Sequence, residues 1–114
     1  MLLTDLVATS REVGDTRSRN AKVRALADLL ARLEGDEVAI AVSYLAGKPR
    51  QDRLDLGYAA VRDTTPEPAA EPTLELVDVH GALQRIADVS GTGSRTRRIA
   101  TLDDLLGRAT EDEQ

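Results

Sequence analysis

The chain has 114 residues, 41% of them hydrophobic, which is enough for one small domain or for part of a larger protein. It has no Cys, a single His and a net charge of −5, which excludes a disulfide framework, a zinc site of thiolates or several histidines, and a uniformly basic nucleic-acid-binding surface. Because Phe and Trp are absent and Leu and Ala are abundant, the core must be aliphatic and the composition favours helix.

Apolar residues at the spacing i, i+3, i+4 and i+7 predict three helices in the first half of the chain. In chain order they span about Leu3–Gly14, Arg19–Leu33 and Glu37–Ala46. Ser18 or Thr16 is suited to cap the second helix. Asp36 is suited to cap the third, while Gly35 and Gly47 mark the helix ends. The second and third helices should form a hairpin, and the apolar stripe of the second consists of Val23, Leu26, Ala27, Leu30 and Leu33.

The second half of the chain predicts a short turn of helix, a linker and two longer helices. A single helical turn after Gly57 is favoured over a strand, since the apolar residues between Leu54 and Val61 have no clear period. Residues 63–76 form an internal linker rich in Pro and acidic side chains, which should be solvated because it has no periodic apolar face. The two longer helices follow at about Val77–Val89 and Ser94–Ala109. The expected fold is all-α, a compact bundle of about five to six helices.

The start of the last helix, within Ser90–Arg98, carries an unusual charge pattern. Two glycines precede Ser94, which could cap the helix, and three arginines follow in its first turn. Helix N-termini ordinarily attract acidic side chains, because the free N–H groups and the macrodipole make this end positive. Free N–H groups together with guanidinium forks suit a phosphate oxygen. Arg95 and Arg98 share one helix face, while Arg97 is turned away.

We therefore interpret this turn as a phosphate-binding site whose residues are Gly93, Ser94, Arg95 and Arg98. The alternative is a glycine-containing turn followed by an arginine-rich, solvated helix face. No residue is assigned a catalytic or metal-binding role, since His80 cannot form a metal site alone. Tyr44 is expected to be a packing residue with a hydrated hydroxyl group.

The order of the segments resembles the N-terminal DNA-binding domain of bacterial and archaeal ATP-dependent DNA ligases over nearly the whole chain. The motifs that carry the resemblance are Leu2-Leu3 with Leu6-Val7, Thr16-Arg17-Ser18-Arg19, Tyr44-Leu45-Ala46-Gly47, Leu56-Gly57-Tyr58-Ala59 and Ser90-Gly91-Thr92-Gly93-Ser94-Arg95. The resemblance implies that residues 1–114 are a partial DNA-binding domain with nicked double-stranded DNA as its partner. It would position the nick, at any sequence, for sealing in replication, repair or recombination. A cytoplasmic, nucleoid-associated bacterial protein without membrane contact is expected, because the apolar runs are too short to span a bilayer.

The chain departs from this family in two ways. It ends at Gln114, before the Gly-Glu-Leu-Arg-Gln-Gly loop that contacts DNA in the family. Ligases of this kind adenylate the lysine of a Lys-x-Asp-Gly motif, and neither Lys22 nor Lys48 has that context. The parent enzyme would use ATP and Mg²⁺ to form a phosphodiester bond. This fragment would have no cofactor and be catalytically inert.

Secondary DNA contacts are expected at Arg19, Lys22, Lys48 and Arg50, in two other basic clusters. For the first two residues the alternative is a solvated helix face, or pairing with Asp15 and Asp28. The other two follow a helix end, where cations interact favourably with the helix dipole in any case.

Two other classes of protein remain as alternatives. A helix-turn-helix regulator is disfavoured, because no short helix pair is followed by a recognition helix rich in Asn, Gln and Arg. A helical protein-interaction module would use the acidic surface to bind a basic partner.

The C-terminal residues predict the start of a further helix. An acidic residue after Thr110 is typical of a helix cap, which would make the chain a fragment of a longer protein; the alternative is a solvated tail. The apolar stripe before this cap should then be partly uncovered and could drive self-association; it comprises Leu102, Leu105, Leu106 and Ala109.

Overall fold

The computed structural model describes residues 1–51 and 53–114. This part of the chain is all-α, as the composition predicts, with six helices and no extended pairing beyond one antiparallel bridge. In chain order the helices are α1 (Leu3–Asp15), α2 (Arg19–Ala31), α3 (Glu37–Leu45), α4 (Tyr58–Asp63), α5 (Leu76–Asp88) and α6 (Ser94–Gly107). Their bounds agree closely with the predicted ones, and the short turn after Gly57 is helical as expected.

At two helix starts, the side chain predicted to cap the helix does not cap it. Ser18 caps α2 as predicted, since its hydroxyl accepts a hydrogen bond from the Ala21 N–H at 3.2 Å. Asp36 occupies the N-cap position of α3 but makes no side-chain hydrogen bond there. At α6 the N-cap is Gly93, in a left-handed conformation with φ 78°. Ser94 is therefore the first helical residue and cannot cap, because a capping side chain comes from the residue before the helix.

The start of α5 pairs with the first residues of the chain. The Leu3 N–H donates to the Leu74 carbonyl at 2.8 Å, and the Leu76 N–H donates to the Met1 carbonyl at 2.9 Å. These two bonds join α1 to α5, which are far apart in sequence.

Buried aliphatic side chains form two clusters. The first lies where α1, α3 and the start of α5 meet, and contains Leu6, Leu33, Ile40, Ala41 and Leu76. The second lies between α5 and the end of α6, and contains Leu74, Ala82, Leu105 and Ala109. Leu3 packs against both clusters, so the core is continuous across the bundle.

The apolar stripe of α6 is covered, which corrects the expectation that it would be exposed. Leu102, Leu105 and Ala109 are only 7%, 6% and 2% exposed. Leu74 and Ala82 pack against this stripe, because the chain before α5 lies against the end of α6. Leu106 is half-buried. The expected exposure of the whole stripe is therefore wrong, and self-association stays a prediction.

Exposed large apolar side chains lie on four other helices of the described chain, and two of them are on α2. The buried residues of this helix are Ala25 and Leu29, whereas Val23 and Leu30 of the predicted stripe are 58% and 40% exposed. The reason is that α1 is the main helical neighbour of α2, and one neighbouring helix covers only a narrow face.

Residues 64–75 lie against the C-terminal end of α6 without forming a helix. Glu67 is exposed, as expected for a solvated linker, but Thr64 is buried. The Ala69 N–H donates to the Ala109 carbonyl at 2.8 Å. This hydrogen bond anchors the segment to the end of α6, where carbonyl groups have no partner within the helix.

Thr110 and Glu113 form the reciprocal contacts of a capping box. The Thr110 N–H donates to Glu113 Oε1 at 2.8 Å, and the Glu113 N–H donates to Thr110 Oγ1 at 3.4 Å. The pattern read from the sequence as a helix start therefore has the local geometry of one.

The α-amino group of Met1 forms an ion pair with Glu37 at the start of α3. The hydrogen bond between them raises the pKa of the amino group above its ordinary value of 8.0 and lowers the pKa of Glu37 below its ordinary value of 4.5. The stabilisation from this pair is complete between those two ordinary values. It is lost as the pH rises through the raised pKa of the amino group, or falls through the lowered pKa of Glu37.

Glu37→Gln is therefore expected to lower the melting temperature at about pH 6.5 and to change it less at a strongly alkaline pH, above the raised pKa of the amino group. Thermal scans at the two pH values test this, with Glu34→Gln as a control that removes a nearby exposed carboxylate. Equal destabilisation by Glu37→Gln at both pH values would contradict the ion-pair account.

Candidate nucleic-acid interface

A cleft of about 310 Å³ lies between residues 55–60 and the first two turns of α6; we call it the α6 cleft. The described residues that line it are Asp55, Leu56, Gly57, Ala59, Ala60, Arg95, Arg98 and Ile99. Two members of the predicted phosphate site, Arg95 and Arg98, therefore meet in one concave surface. The charged groups on its wall are these two guanidinium groups and one carboxylate.

The turn before α6 has the left-handed backbone that its glycines allow. Gly91 and Gly93 have φ values of 84° and 78°. A Cβ atom at Gly93 would meet no heavy atom within 4 Å, so the positive φ, and not a lack of space, favours glycine there. The Ser94 N–H donates to the Gly91 carbonyl at 3.2 Å. The next two backbone N–H groups, of Arg95 and Thr96, have no acceptor among the described residues, so a ligand could bind them.

Arg95 and Arg98 are held very differently. Arg95 is exposed and forms no hydrogen bond or ion pair within the described part of the chain. The Arg98 side chain is only 13% exposed; its Nη2 donates to the Val89 carbonyl at 2.7 Å and lies 3.7 Å from Asp55 Oδ2. Arg98 Nε is buried and has no acceptor among residues 1–51 and 53–114. The structure thus fixes one guanidinium in the wall and leaves the other free to move.

Arg97 does not line the α6 cleft, which agrees with its predicted orientation away from the shared face. It is exposed as expected, but its Nη2 also donates to the Ser90 carbonyl at 2.8 Å. The side chain therefore ties α6 to the turn before it, and removing it would disturb the turn.

Sequence reasoning missed Arg53 and Asp55. Asp55 has φ 55°, and its carboxylate accepts a hydrogen bond from Arg53 Nε while pairing with Arg98. No local signal marks this arrangement, because the ion pair with Arg98 joins segments that meet only in the folded chain. The cleft wall thus carries two arginines and one aspartate, and Arg53 contacts that aspartate without lining the cleft.

The four predicted secondary contacts do not line the α6 cleft. Arg19 and Lys22 lie in the first turn of α2, whose main helical neighbour is α1. Lys48 and Arg50 lie between α3 and α4. Lys48 lines a different cleft, of about 340 Å³, whose walls are mostly apolar.

Tyr44 packs against the first core cluster, as predicted. Its hydroxyl oxygen is buried without a hydrogen-bond partner among the described residues, and burial raises the pKa of Tyr44 to about 12. The expectation of a hydrated hydroxyl group is therefore wrong, because the ring enters the cluster far enough to take the oxygen out of water.

Among residues 1–51 and 53–114, no group of three His, Asp or Glu side chains is placed to hold a metal ion. None of the six helices is long and apolar enough to cross a membrane within that same part of the chain. His80 lies half-buried on α5, with Nδ1 3.4 Å from Gln51 Nε2.

Comparison with known proteins identifies relatives along the whole chain. It is 48% identical over all 114 residues to a protein named Probable DNA ligase from Beutenbergia cavernae, and 47% identical to one from Pseudarthrobacter chlorophenolicus. A Probable DNA ligase from Nocardioides sp. is 45% identical over an alignment of 119 residues. The chain spans 22 to 23% of the length of these relatives. No family model and no solved structure matches it. The chain is therefore homologous, from end to end, to one segment of proteins named as DNA ligases.

Proposed function

We propose that this chain is part of the DNA-binding domain of an ATP-dependent DNA ligase, and that it holds duplex DNA so that other parts of the protein can seal a nick. The observation that carries the proposal is the identity of 43 to 48% with proteins named Probable DNA ligase along the entire chain. The α6 cleft supplies a surface suited to this task, because its guanidinium and backbone N–H groups are donors for phosphate oxygens.

Backbone contacts suit a nick-sealing enzyme better than base contacts. A nick can occur at any sequence, and contacts to phosphates orient a protein on the duplex without reading the bases. Arg95 is the first candidate for such a contact, since it is exposed, unpaired among the described residues and directed by its helix face to the α6 cleft. The net charge of −5 does not prevent this, because binding to phosphates depends on where the positive charges lie.

A comparison of binding to short duplexes tests the proposal against the two alternatives. Fluorescence anisotropy with three unrelated duplexes, each intact and nicked, should give similar dissociation constants that weaken as salt increases. Preference for one sequence would indicate a regulator. Absence of binding to every duplex at low salt would contradict a DNA-binding role and favour a protein-interaction module.

The chain alone is expected not to transfer AMP. In ligases of the kind it resembles, ATP adenylates a lysine within Lys-x-Asp-Gly and Mg²⁺ assists by neutralising developing charge. The two lysines of this chain are followed by Val-Arg-Ala and Pro-Arg-Gln, so neither has that context. Incubation with radiolabelled ATP and Mg²⁺, followed by a denaturing gel, should leave the protein band unlabelled. A labelled band at 12.3 kDa would overturn this expectation.

A further inference from the structure

The carboxylate of Asp55 lies beside Arg98 in the wall of the α6 cleft. Its Oδ1 accepts from Arg53 Nε, and its Oδ2 lies 3.7 Å from Arg98 Nη2. Both Arg53 and Asp55 are exposed enough to exchange these partners for solvent or for a ligand, with side chains 84% and 40% exposed. The pair between Asp55 and Arg98 is long for a hydrogen bond, so it neutralises charge without saturating the guanidinium.

One nitrogen of the Arg98 guanidinium lacks an acceptor among the described residues. Its Nη2 is satisfied by the Val89 carbonyl, but its Nε is buried and unpartnered among the described residues. Leaving a buried donor without an acceptor is unfavourable, and in folded proteins such groups are rare. An anion with more than one oxygen, between Arg98 and Arg95, would pair more closely with Arg98 than Asp55 does at 3.7 Å.

We infer that Asp55 is a built-in competitor for the phosphate group that the α6 cleft binds. The phosphate oxygens are bound by Arg95 and Arg98, and the Asp55 carboxylate must turn away from Arg98 or face the ligand as a like charge. Asp55 therefore weakens anion binding in the cleft and keeps the contact reversible. Only the identity of the ligand as a DNA phosphate rests on the proposed function; the competition itself is a property of Arg95, Arg98 and the Asp55 carboxylate.

The substitution Asp55→Asn tests the effect of the negative charge separately from any effect on the fold. Asn tolerates a positive φ as well as Asp does, so the value of 55° is retained while the negative charge is removed. Asp55→Gly removes the side chain at the same backbone conformation and serves as a second variant. Asp36→Asn is the matched control, because Asp36 is exposed, makes no side-chain hydrogen bond at its helix start, and changes the net charge equally.

The first arm of the experiment uses inorganic phosphate as the probe. Titration of the 114-residue chain, followed by the NMR shifts of the Arg95 and Thr96 amides, measures anion binding in the cleft directly. Asp55→Asn and Asp55→Gly should each tighten binding about fivefold relative to the original chain, the factor for removing a unit charge about 4 Å from the ligand in a highly polar medium. Asp36→Asn should leave it within a factor of two, as expected for a distant, screened charge. Unchanged or weaker binding by both Asp55 variants would overturn the inference.

The second arm repeats the comparison with duplex DNA. Tighter binding of both phosphate and duplex by the Asp55 variants supports the inference and the proposed function together. Tighter binding of phosphate with no duplex binding by any variant supports the competitor role and contradicts the DNA-binding role. Duplex binding that Arg95→Ala weakens, with phosphate binding unaffected by Asp55→Asn, contradicts the competitor role alone.

Discussion

Leu76→Ala is expected to lower the free energy of unfolding by about 2–5 kcal/mol, the range for deleting a large aliphatic side chain from a packed core. Leu76 is fully buried in the first cluster, at the point where the start of α5 meets α1 and α3. Its backbone N–H also donates to the Met1 carbonyl, so the residue lies where the first residues of the chain meet the start of α5. Such a loss is a large part of the total stability of a small domain.

Urea denaturation followed by circular dichroism measures this loss. Val77→Ala is the control at the adjacent position, because Val77 is 47% exposed and alanine is the better helix former. The control should change stability by no more than about 0.5 kcal/mol. A loss below about 1 kcal/mol for Leu76→Ala would contradict the assignment of this residue to the core junction.

Arg95→Ala is expected to weaken binding to duplex DNA about tenfold, and to the same extent on unrelated sequences. A charge-assisted hydrogen bond contributes about 1.5–3 kcal/mol, and water at this exposed position should hold the effect near the lower end. Loss of one phosphate contact should also reduce the slope of log K against log salt by about 0.9. Arg95 forms no side-chain hydrogen bond or ion pair with a described residue, so the fold should be little affected.

The matched control for this substitution is Arg17→Ala. Arg17 is exposed in the turn before α2, outside the α6 cleft, and the substitution removes the same charge. Arg97→Ala is unsuitable, because its guanidinium holds the Ser90 carbonyl and its loss would loosen the turn. Equal, small losses from Arg95→Ala and Arg17→Ala, with an unchanged salt slope, would contradict a phosphate contact at Arg95.

The helices could be predicted from the sequence because their determinants are local. Apolar periodicity, the Ser18 cap and the glycines after α2 and α3 all act within a few residues, and the six helices follow these signals closely. Which side of a helix is buried depends on its neighbours, and the prediction of the buried side of α2 was wrong. Val23 and Leu30 belong to the predicted stripe of α2 yet remain exposed, since α1 covers another face of that helix.

The candidate site could also be predicted only in part. The shared helix face of Arg95 and Arg98 follows from helical geometry, and both line the α6 cleft. Ser94 was misplaced by one position, because the sequence does not show that Gly93 takes the left-handed N-cap. Asp55 could not be found, since its pairing with Arg98 depends on how residues 53–60 lie across α6.

A titration of the 114-residue chain with a nicked duplex, followed by the NMR shifts of all backbone amides, tests the central claim most directly. If the chain binds the DNA backbone through the α6 cleft, the largest shifts should fall on Gly93–Arg98 and on residues 55–60, and should be the same for nicked duplexes of unrelated sequence. Shifts concentrated on the first turn of α2, or no shifts at any duplex concentration at low salt, would contradict the assignment of this cleft to DNA.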